Sequence, residues 1–144
     1  MKYRRLIIGI FFAIQILTTV LPDAEAASAR IAATLVEGST NGNDIDPRIS
    51  KYARLLKGPK NFTSLKVVGQ SSANIPLPGS QTINLGSGHT LTIKAEESGA
   101  NQLSLTAVWR KGKQKQQELV YRNATRNQPR FLGAGNHWLI VVVK

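Results

Sequence analysis

From Asn61 onward, apolar side chains alternate with polar ones, and a period of two residues is typical of strands with one buried face. The sets that alternate most clearly are Leu65 and Val67; Ile83 and Leu85; Leu91 and Ile93; and Leu103, Leu105, Ala107 and Trp109. Turn-forming residues separate these sets at 76–79 (PLPG), 86–88 (GSG) and 97–101 (ESGAN). Because short turns join antiparallel neighbours, the pattern predicts a mostly antiparallel sheet.

Further strands are predicted on both sides of this region. Arg30 to Val36 reads as a first strand. A hairpin with Lys111 to Lys113 at its tip is predicted near residue 112, and the polar stretch from Arg122 to Arg130 is predicted to be a loop. Trp138 to Val143 is a run of apolar residues without alternation, which predicts a central strand covered on both faces.

One amphipathic helix is predicted between the first two strands. Its apolar stripe, at spacings i, i+3, i+4 and i+7, consists of Ile49, Tyr52, Ala53 and Leu56. Pro47 suits the first helical position, and Asp46 before it can accept hydrogen bonds from free amides. Gly58 and Pro59 follow the stripe as stop signals. The sequence therefore predicts a helix of about three turns from Pro47 to Lys57.

The stretch at 40–47 (TNGNDIDP) also has the oxygen-rich composition of a calcium loop. An EF-hand loop needs glycine at position six and glutamate at position twelve. Counted from Asn41, those positions hold Asp46 and Tyr52, so the helix cap is the better interpretation. A calcium site of another type, using Asn41, Asn43, Asp44 and Asp46, stays open as an alternative.

Together these elements predict an α+β fold. It is a mostly antiparallel β sheet or two-layer sandwich of seven or eight strands, with one short helix packed on a sheet face. A fully sheet-paired protein without the helix is the alternative.

The first 26 residues have the three parts of a secretory signal peptide: a basic start, an apolar centre from Leu6 to Leu21, and a small-residue end at Ala24 and Ala26. The apolar run is shorter than the roughly 20 residues that span a bilayer, so cleavage near Ala26 is favoured over an uncleaved anchor. We expect an exported protein, periplasmic or extracellular, with one domain at 27–144. The chain has no cysteine, so no disulfide stabilises that domain.

The domain is strongly basic. Three of the 19 Lys and Arg and two of the 8 acidic residues lie before residue 27, which leaves 16 basic side chains against 6 acidic ones. Such a charge favours anionic neighbours, namely membrane head groups, acidic polysaccharide or nucleic acid. The alternative is that the charge only keeps the protein soluble.

Basic residues concentrate in and after the predicted hairpin. The candidate binding residues for an anionic partner are Arg110, Lys111, Lys113, Lys115, Arg122, Arg126 and Arg130. The alternative is that lysines at a hairpin protect a sheet edge from aggregation. Trp109 continues the apolar face of its strand, so it is predicted to lie in the core and not to stack on a ligand.

The sequence contains no recognisable catalytic or metal-binding constellation. The two histidines, His89 and His137, each begin a predicted strand, where a polar edge residue is common, and no spacing typical of metal ligands accompanies them. A zinc site that adds Asp44 or Glu118 is a lesser alternative. Glu96 and Glu97 are adjacent and would point to opposite faces of a strand. We expect no enzyme activity, no cofactor and no bound metal.

Several segments resemble those of a family of small bacterial exported proteins that carry signal peptides and have no assigned activity. The resemblance covers nearly the whole of 27–144 and rests on 33–36 (ATLV), 46–47 (DP), 62–69 (FTSLKVVG), 83–93 (INLGSGHTLTI) and 139–143 (LIVVV). It implies export and a mostly-β domain with one short helix, and it adds no catalytic residue. The predicted function is a non-catalytic interaction module of the periplasm or envelope with a protein partner; the alternative is a binder of anionic surfaces through the basic hairpin.

Overall fold

The computed structural model describes residues 27–144 as eight strands and one short helical segment. The strands are β1 (Ser28–Ser39), β2 (Ser64–Pro76), β3 (Gly79–Gly86), β4 (His89–Gly99), β5 (Gln102–Lys111), β6 (Gln114–Thr125), β7 (Pro129–Ala134) and β8 (His137–Val143). The predicted signal peptide lies outside the described residues. Within 27–144, none of the helical turns has the length and apolarity to cross a membrane.

The strands form two four-stranded antiparallel sheets, as the sequence pattern predicts. One sheet has the order β2-β1-β8-β7, and we call it the covered sheet because the helical segment packs on its outer face. The other has the order β3-β4-β5-β6, and we call it the polar-faced sheet. The α+β prediction with seven or eight strands is confirmed, and the helix-free alternative is wrong.

The main hydrophobic core lies between the two sheets. Alternate residues of each strand point inward, so that Leu91 and Ile93 of β4 face Leu35 of β1 and Leu139 of β8 in one continuous cluster. Trp109 is fully buried in this cluster, which confirms that it is a core residue. Burial of apolar surface between two interdigitating sheets is what stabilises a sandwich without disulfides.

A second, smaller hydrophobic cluster lies on the outer face of the covered sheet. Ile49 and Leu56 of the helical segment pack there against Val36 of β1 and Ile140 of β8. β8 therefore has one face in each cluster and lies centrally in its sheet, as its unbroken apolar run predicts. All four residues of the predicted helical stripe belong to this cluster or pack against it.

The helical segment has the predicted position but a tighter geometry. It begins as a 3-10 helix at Pro47–Tyr52, continues as α1 (Ala53–Lys57) and ends with a 3-10 turn at Gly58–Lys60. The predicted bounds, Pro47 to Lys57, agree with the start of the 3-10 helix and the end of α1, and a separate 3-10 turn follows. Asn61, with a φ of 53°, ends the segment in the left-handed region that asparagine tolerates.

Two predicted loop boundaries need correction. β6 extends to Thr125 and β7 begins at Pro129, so the predicted loop from Arg122 to Arg130 is reduced to three residues. β4 likewise extends to Gly99. In both cases polar residues continue a strand because cross-strand hydrogen bonding does not require an apolar side chain.

Candidate functional site

Four of the predicted binding residues lie around the tip of the β5–β6 hairpin, with the neighbours Arg110 and Lys111 on opposite faces of β5. We call Arg110, Lys111, Lys113 and Lys115 the hairpin surface, and all four are exposed. Arg110 and Lys115 are direct cross-strand partners, so two positive charges stand side by side. The only ion pair within the hairpin joins Lys115 Nζ to Glu118 Oε2 at 3.0 Å.

The hairpin is braced against its neighbour. The amide of Gly112 donates to the carbonyl of Gly88, in the adjacent β3–β4 turn, at 2.8 Å. Gly112 has a φ of 58°, which suits glycine in a tight turn. This hydrogen bond holds the hairpin turn against the β3–β4 turn.

The other three predicted binding residues lie elsewhere. Arg122 lines a shallow depression of about 160 Å³ on the outer face of the polar-faced sheet, together with Lys94 and Glu96. Arg126 follows the far end of β6, which at about 3.3 Å per residue is roughly 35 Å from the hairpin tip. Arg130 packs inward, with its guanidinium carbon 4.9 Å from the centroid of the Tyr121 ring. Four of the seven residues therefore lie around the hairpin tip, and three do not.

Beneath the hairpin, two histidines meet between the sheets. His89 of β4 and His137 of β8 have ring centroids 4.9 Å apart, and we call them the inter-sheet histidine pair. His89 is only 2 % exposed, so its interpretation as a polar edge residue is wrong. Trp109 Nε1 donates to His89 Nδ1 at 3.0 Å, which satisfies the buried indole N–H.

This hydrogen bond requires a neutral His89. An imidazole that accepts at Nδ1 carries its proton on Nε2, whereas an imidazolium would place a second N–H against the indole donor. Burial, with the nearby His137 and Lys111 as smaller causes, lowers the pKa of His89 below its ordinary 6.5. Burial also lowers the pKa of His137; Lys111 adds to that shift, whereas the Glu37 carboxylate opposes it.

The same bond argues against His89 as a metal ligand. Its Nδ1 lone pair is used by Trp109, and the protonated Nε2 has no lone pair to offer. Within residues 27–144, no three or more histidine, aspartate or glutamate side chains group closely enough to hold a metal ion.

The stretch at 40–47 is held by protein contacts. Asp46 Oδ1 accepts from the Arg48 amide at 3.0 Å, which confirms the predicted helix cap. The Asp46 carboxylate also pairs with the Arg48 guanidinium, at 2.7 Å between Oδ2 and NH2. Hydrogen bonds from the Arg48 side chain and backbone lower the pKa of Asp46 to about 2. Its carboxylate is thus committed to Arg48.

A groove that the sequence did not predict lies where the helical segment stops covering the sheet. Its floor is formed by Ala32 and Thr34 of β1 with Ile140 and Val142 of β8, and its wall by Arg48, Lys51 and Tyr52. We call it the helix-side groove; its volume is about 450 Å³. In the sequence, the only indication of this groove is the pair of small side chains Ala32 and Thr34. The sequence does not reveal whether the helical segment covers these two residues.

Comparisons with known proteins add no relative: no protein-family model, no curated protein and no solved structure matches the chain. The resemblance to small exported bacterial proteins therefore stays a prediction.

Proposed function

We propose that the chain is an exported, non-catalytic binding module that attaches to an anionic surface through the hairpin surface. The observation that carries this proposal is that four exposed cations lie around the tip of one hairpin, with a single ion pair among them. Export is supported by the signal-like composition of residues 1–26.

The charge of the domain supports an anionic partner. Residues 27–144 contain 16 basic and 6 acidic side chains, and only two ion pairs form among the described residues. Most of the positive charge is therefore uncompensated by the protein itself. Such a charge attracts anions over several ångströms and speeds their encounter with the protein.

The arrangement of the hairpin supports it as the point of contact. Like charges that face each other across a strand pair are destabilising, and Arg110 and Lys115 are such a pair, with Glu118 offsetting part of the charge of Lys115. A bound anion would relieve this repulsion. Because the turn is already braced on Gly88, little conformational freedom would be lost on binding.

The burial of Trp109 favours a surface over a single-stranded nucleic acid. Binding of single strands usually combines cations with exposed aromatic rings that stack on bases. Trp109 is buried and hydrogen-bonded to His89, so it offers no such platform. Head groups or an acidic polysaccharide need only the cations.

The test reverses the charge of Lys111, Lys113 and Lys115 to glutamate and measures binding to vesicles that contain anionic lipid and to an acidic polysaccharide. Each cation near an anionic surface contributes about 1 kcal/mol, so we expect binding to fall at least about hundredfold.

A matched control carries Arg30→Glu, Lys66→Glu and Lys94→Glu, which change the net charge equally but are scattered over three strands. We expect the control to retain most of the binding. Equal losses in both variants, with both still folded by their melting transitions, would show that net charge alone matters and would reject the hairpin surface.

A second candidate is a module that binds a protein partner. β6 is an edge strand of 12 residues, and Val120 on its outer face is 62 % exposed. An exposed edge can accept a strand from a partner. Val120→Lys should abolish crosslinking to such a partner and leave vesicle binding unchanged; crosslinking that survives in this variant would argue against this second candidate.

A further inference from the structure

The helix-side groove combines an apolar floor with a cationic wall. The helical segment covers only the part of the sheet around Val36 and Ile140, and the small side chains Ala32 and Thr34 leave a step beyond it. The resulting volume of about 450 Å³ lies in the range of small-molecule sites, roughly 300–1,000 Å³. Three cations line it, Arg48, Lys51 and Lys144, and no carboxylate side chain is among its lining residues within 27–144.

The cations are held in place by different elements. Arg48 donates Nε and NH2 to Asp46, and its NH1 donates to Gln70 Oε1 on β2 at 3.1 Å. Gln70 in turn donates to Thr34 Oγ1 on the floor at 3.5 Å. Three of the five guanidinium N–H groups thus have partners among the described residues, and two have none there.

Lys51 and Lys144 are also positioned. Lys51 Nζ lies 4.9 Å from the centroid of the Tyr52 ring, so its ammonium stands at the aromatic wall. The amide of Lys144 donates to Arg30 O at 2.8 Å, and its carbonyl accepts from Arg126 NH1 at 2.7 Å. Arg126, one of the predicted binding residues, therefore acts here as a positioning residue at the rim of the groove.

From this arrangement we infer that the helix-side groove binds a small organic anion, in which a carboxylate or phosphate meets Arg48 and Lys51 and an apolar body lies on the half-buried Ala32 and Val142. The anionic head is favoured mainly by Lys51, which forms no ion pair among the described residues, whereas Asp46 already offsets the charge of Arg48. The apolar floor of the groove favours a ligand with an apolar body, because a fully hydrated inorganic anion would gain nothing from apolar contacts. The site is separate from the hairpin surface and does not depend on it.

The first measurement uses the purified protein, labelled with ¹⁵N, and titrates phenyl phosphate, benzoate and inorganic phosphate. We expect saturable shifts of the amides of Thr34, Tyr52 and Val142 with phenyl phosphate and benzoate. Inorganic phosphate should bind at least about tenfold more weakly, because it lacks the apolar body. Equal affinity for inorganic and phenyl phosphate, or shifts away from these amides, would overturn the inference.

Variants locate the site. Lys51→Gln should weaken phenyl phosphate about tenfold, since a charge-assisted hydrogen bond is lost. Lys57→Gln, on the same helical segment but outside the groove, is the matched control and should bind as the wild type does. Equal effects of these two substitutions would contradict the groove.

The hairpin charge reversal separates this inference from the proposed function. It should leave phenyl phosphate binding to the groove within about twofold of the wild type. Loss of vesicle binding together with retained groove binding would support both proposals. Loss of groove binding in that folded variant would overturn the groove as an independent site.

Discussion

The covered sheet and the polar-faced sheet share one inner core but differ on their outer faces. The covered sheet presents Val36 and Ile140 outward, where the helical segment buries them in the second cluster. The polar-faced sheet presents threonines outward, and Thr82 and Thr92 share a hydrogen bond between their hydroxyls at 3.1 Å. The two proposed binding surfaces follow this difference: one lies at the margin of the helical cover, and the other lies at the exposed basic hairpin.

Truncation of a leucine in each hydrophobic cluster should give the largest difference in the free energy of unfolding between the main core and the second cluster. Leu139→Ala, on the inner face of β8, should lower the free energy of unfolding by about 3–5 kcal/mol, because two paired sheets cannot close the cavity. Leu56→Ala, on the short helix, should cost only about 2–3 kcal/mol, because the helix can shift into the space. Urea denaturation followed by circular dichroism measures both. An equal or greater loss for Leu56→Ala would mean that the helical cover is as rigid as the core.

Acidification should have an intermediate effect on the free energy of unfolding, in two separate pH ranges. Burial lowers the pKa of His89 and of His137 in the folded protein. Just below their ordinary pKa of 6.5, the unfolded chain therefore binds more protons than the folded chain does. The stability they contribute is present above pH 6.5 and is lost as pH falls through their folded pKa values. The pKa of Asp46 is lowered from 3.8 to about 2. Its contribution to the stability of the fold is therefore lost only as the pH falls between these two values.

The contribution of His89 to the pH dependence of stability can be isolated with His89→Gln. Glutamine keeps a hydrogen-bond acceptor for Trp109 but does not titrate. Unfolding free energies between pH 7 and pH 5 should fall less in this variant than in the wild type. Parallel curves for the two proteins would show that His89 is not responsible for the acid sensitivity between the sheets.

The smallest effect is expected on the outer faces. Val120→Thr on the polar-faced sheet should change the free energy of unfolding by less than about 0.5 kcal/mol, since Val120 is 62 % exposed. Val142→Thr on the half-buried outer face of the covered sheet should cost about 1 kcal/mol. Thermal melts of the two variants give the comparison. A larger loss for Val120→Thr would indicate that another surface covers the polar-faced sheet.

The features of the fold that follow from the periodicity of apolar residues were predicted correctly from the sequence. The unbroken apolar run of β8 correctly indicated a strand between two clusters, and the stripe at Ile49 and Leu56 correctly indicated the helix and its contact. The alternation through Leu105 and Trp109 correctly assigned the tryptophan to the core. Each of these predictions depends on neighbours along one strand or helix.

Features that depend on contacts between distant elements were missed. His89 and His137 lie far apart in the sequence, and no local pattern indicates that their rings meet between the sheets. The helix-side groove likewise depends on where the helical segment ends relative to Ala32 and Thr34. The seven basic residues looked like one cluster because they are close in sequence, but Lys115 is the second residue of the twelve-residue strand β6 and Arg126 follows its last.

The most direct test of the central claim is the salt dependence of binding of the wild-type protein to vesicles that contain anionic lipid. If the hairpin surface binds through exposed cations, binding should be tight at low salt and should weaken steeply between about 50 and 200 mM salt, where screening lengths approach the separation of the charges. The slope should be shallower for the variant with Lys111, Lys113 and Lys115 reversed. Absence of binding at the lowest salt, or binding that salt does not affect, would contradict the account.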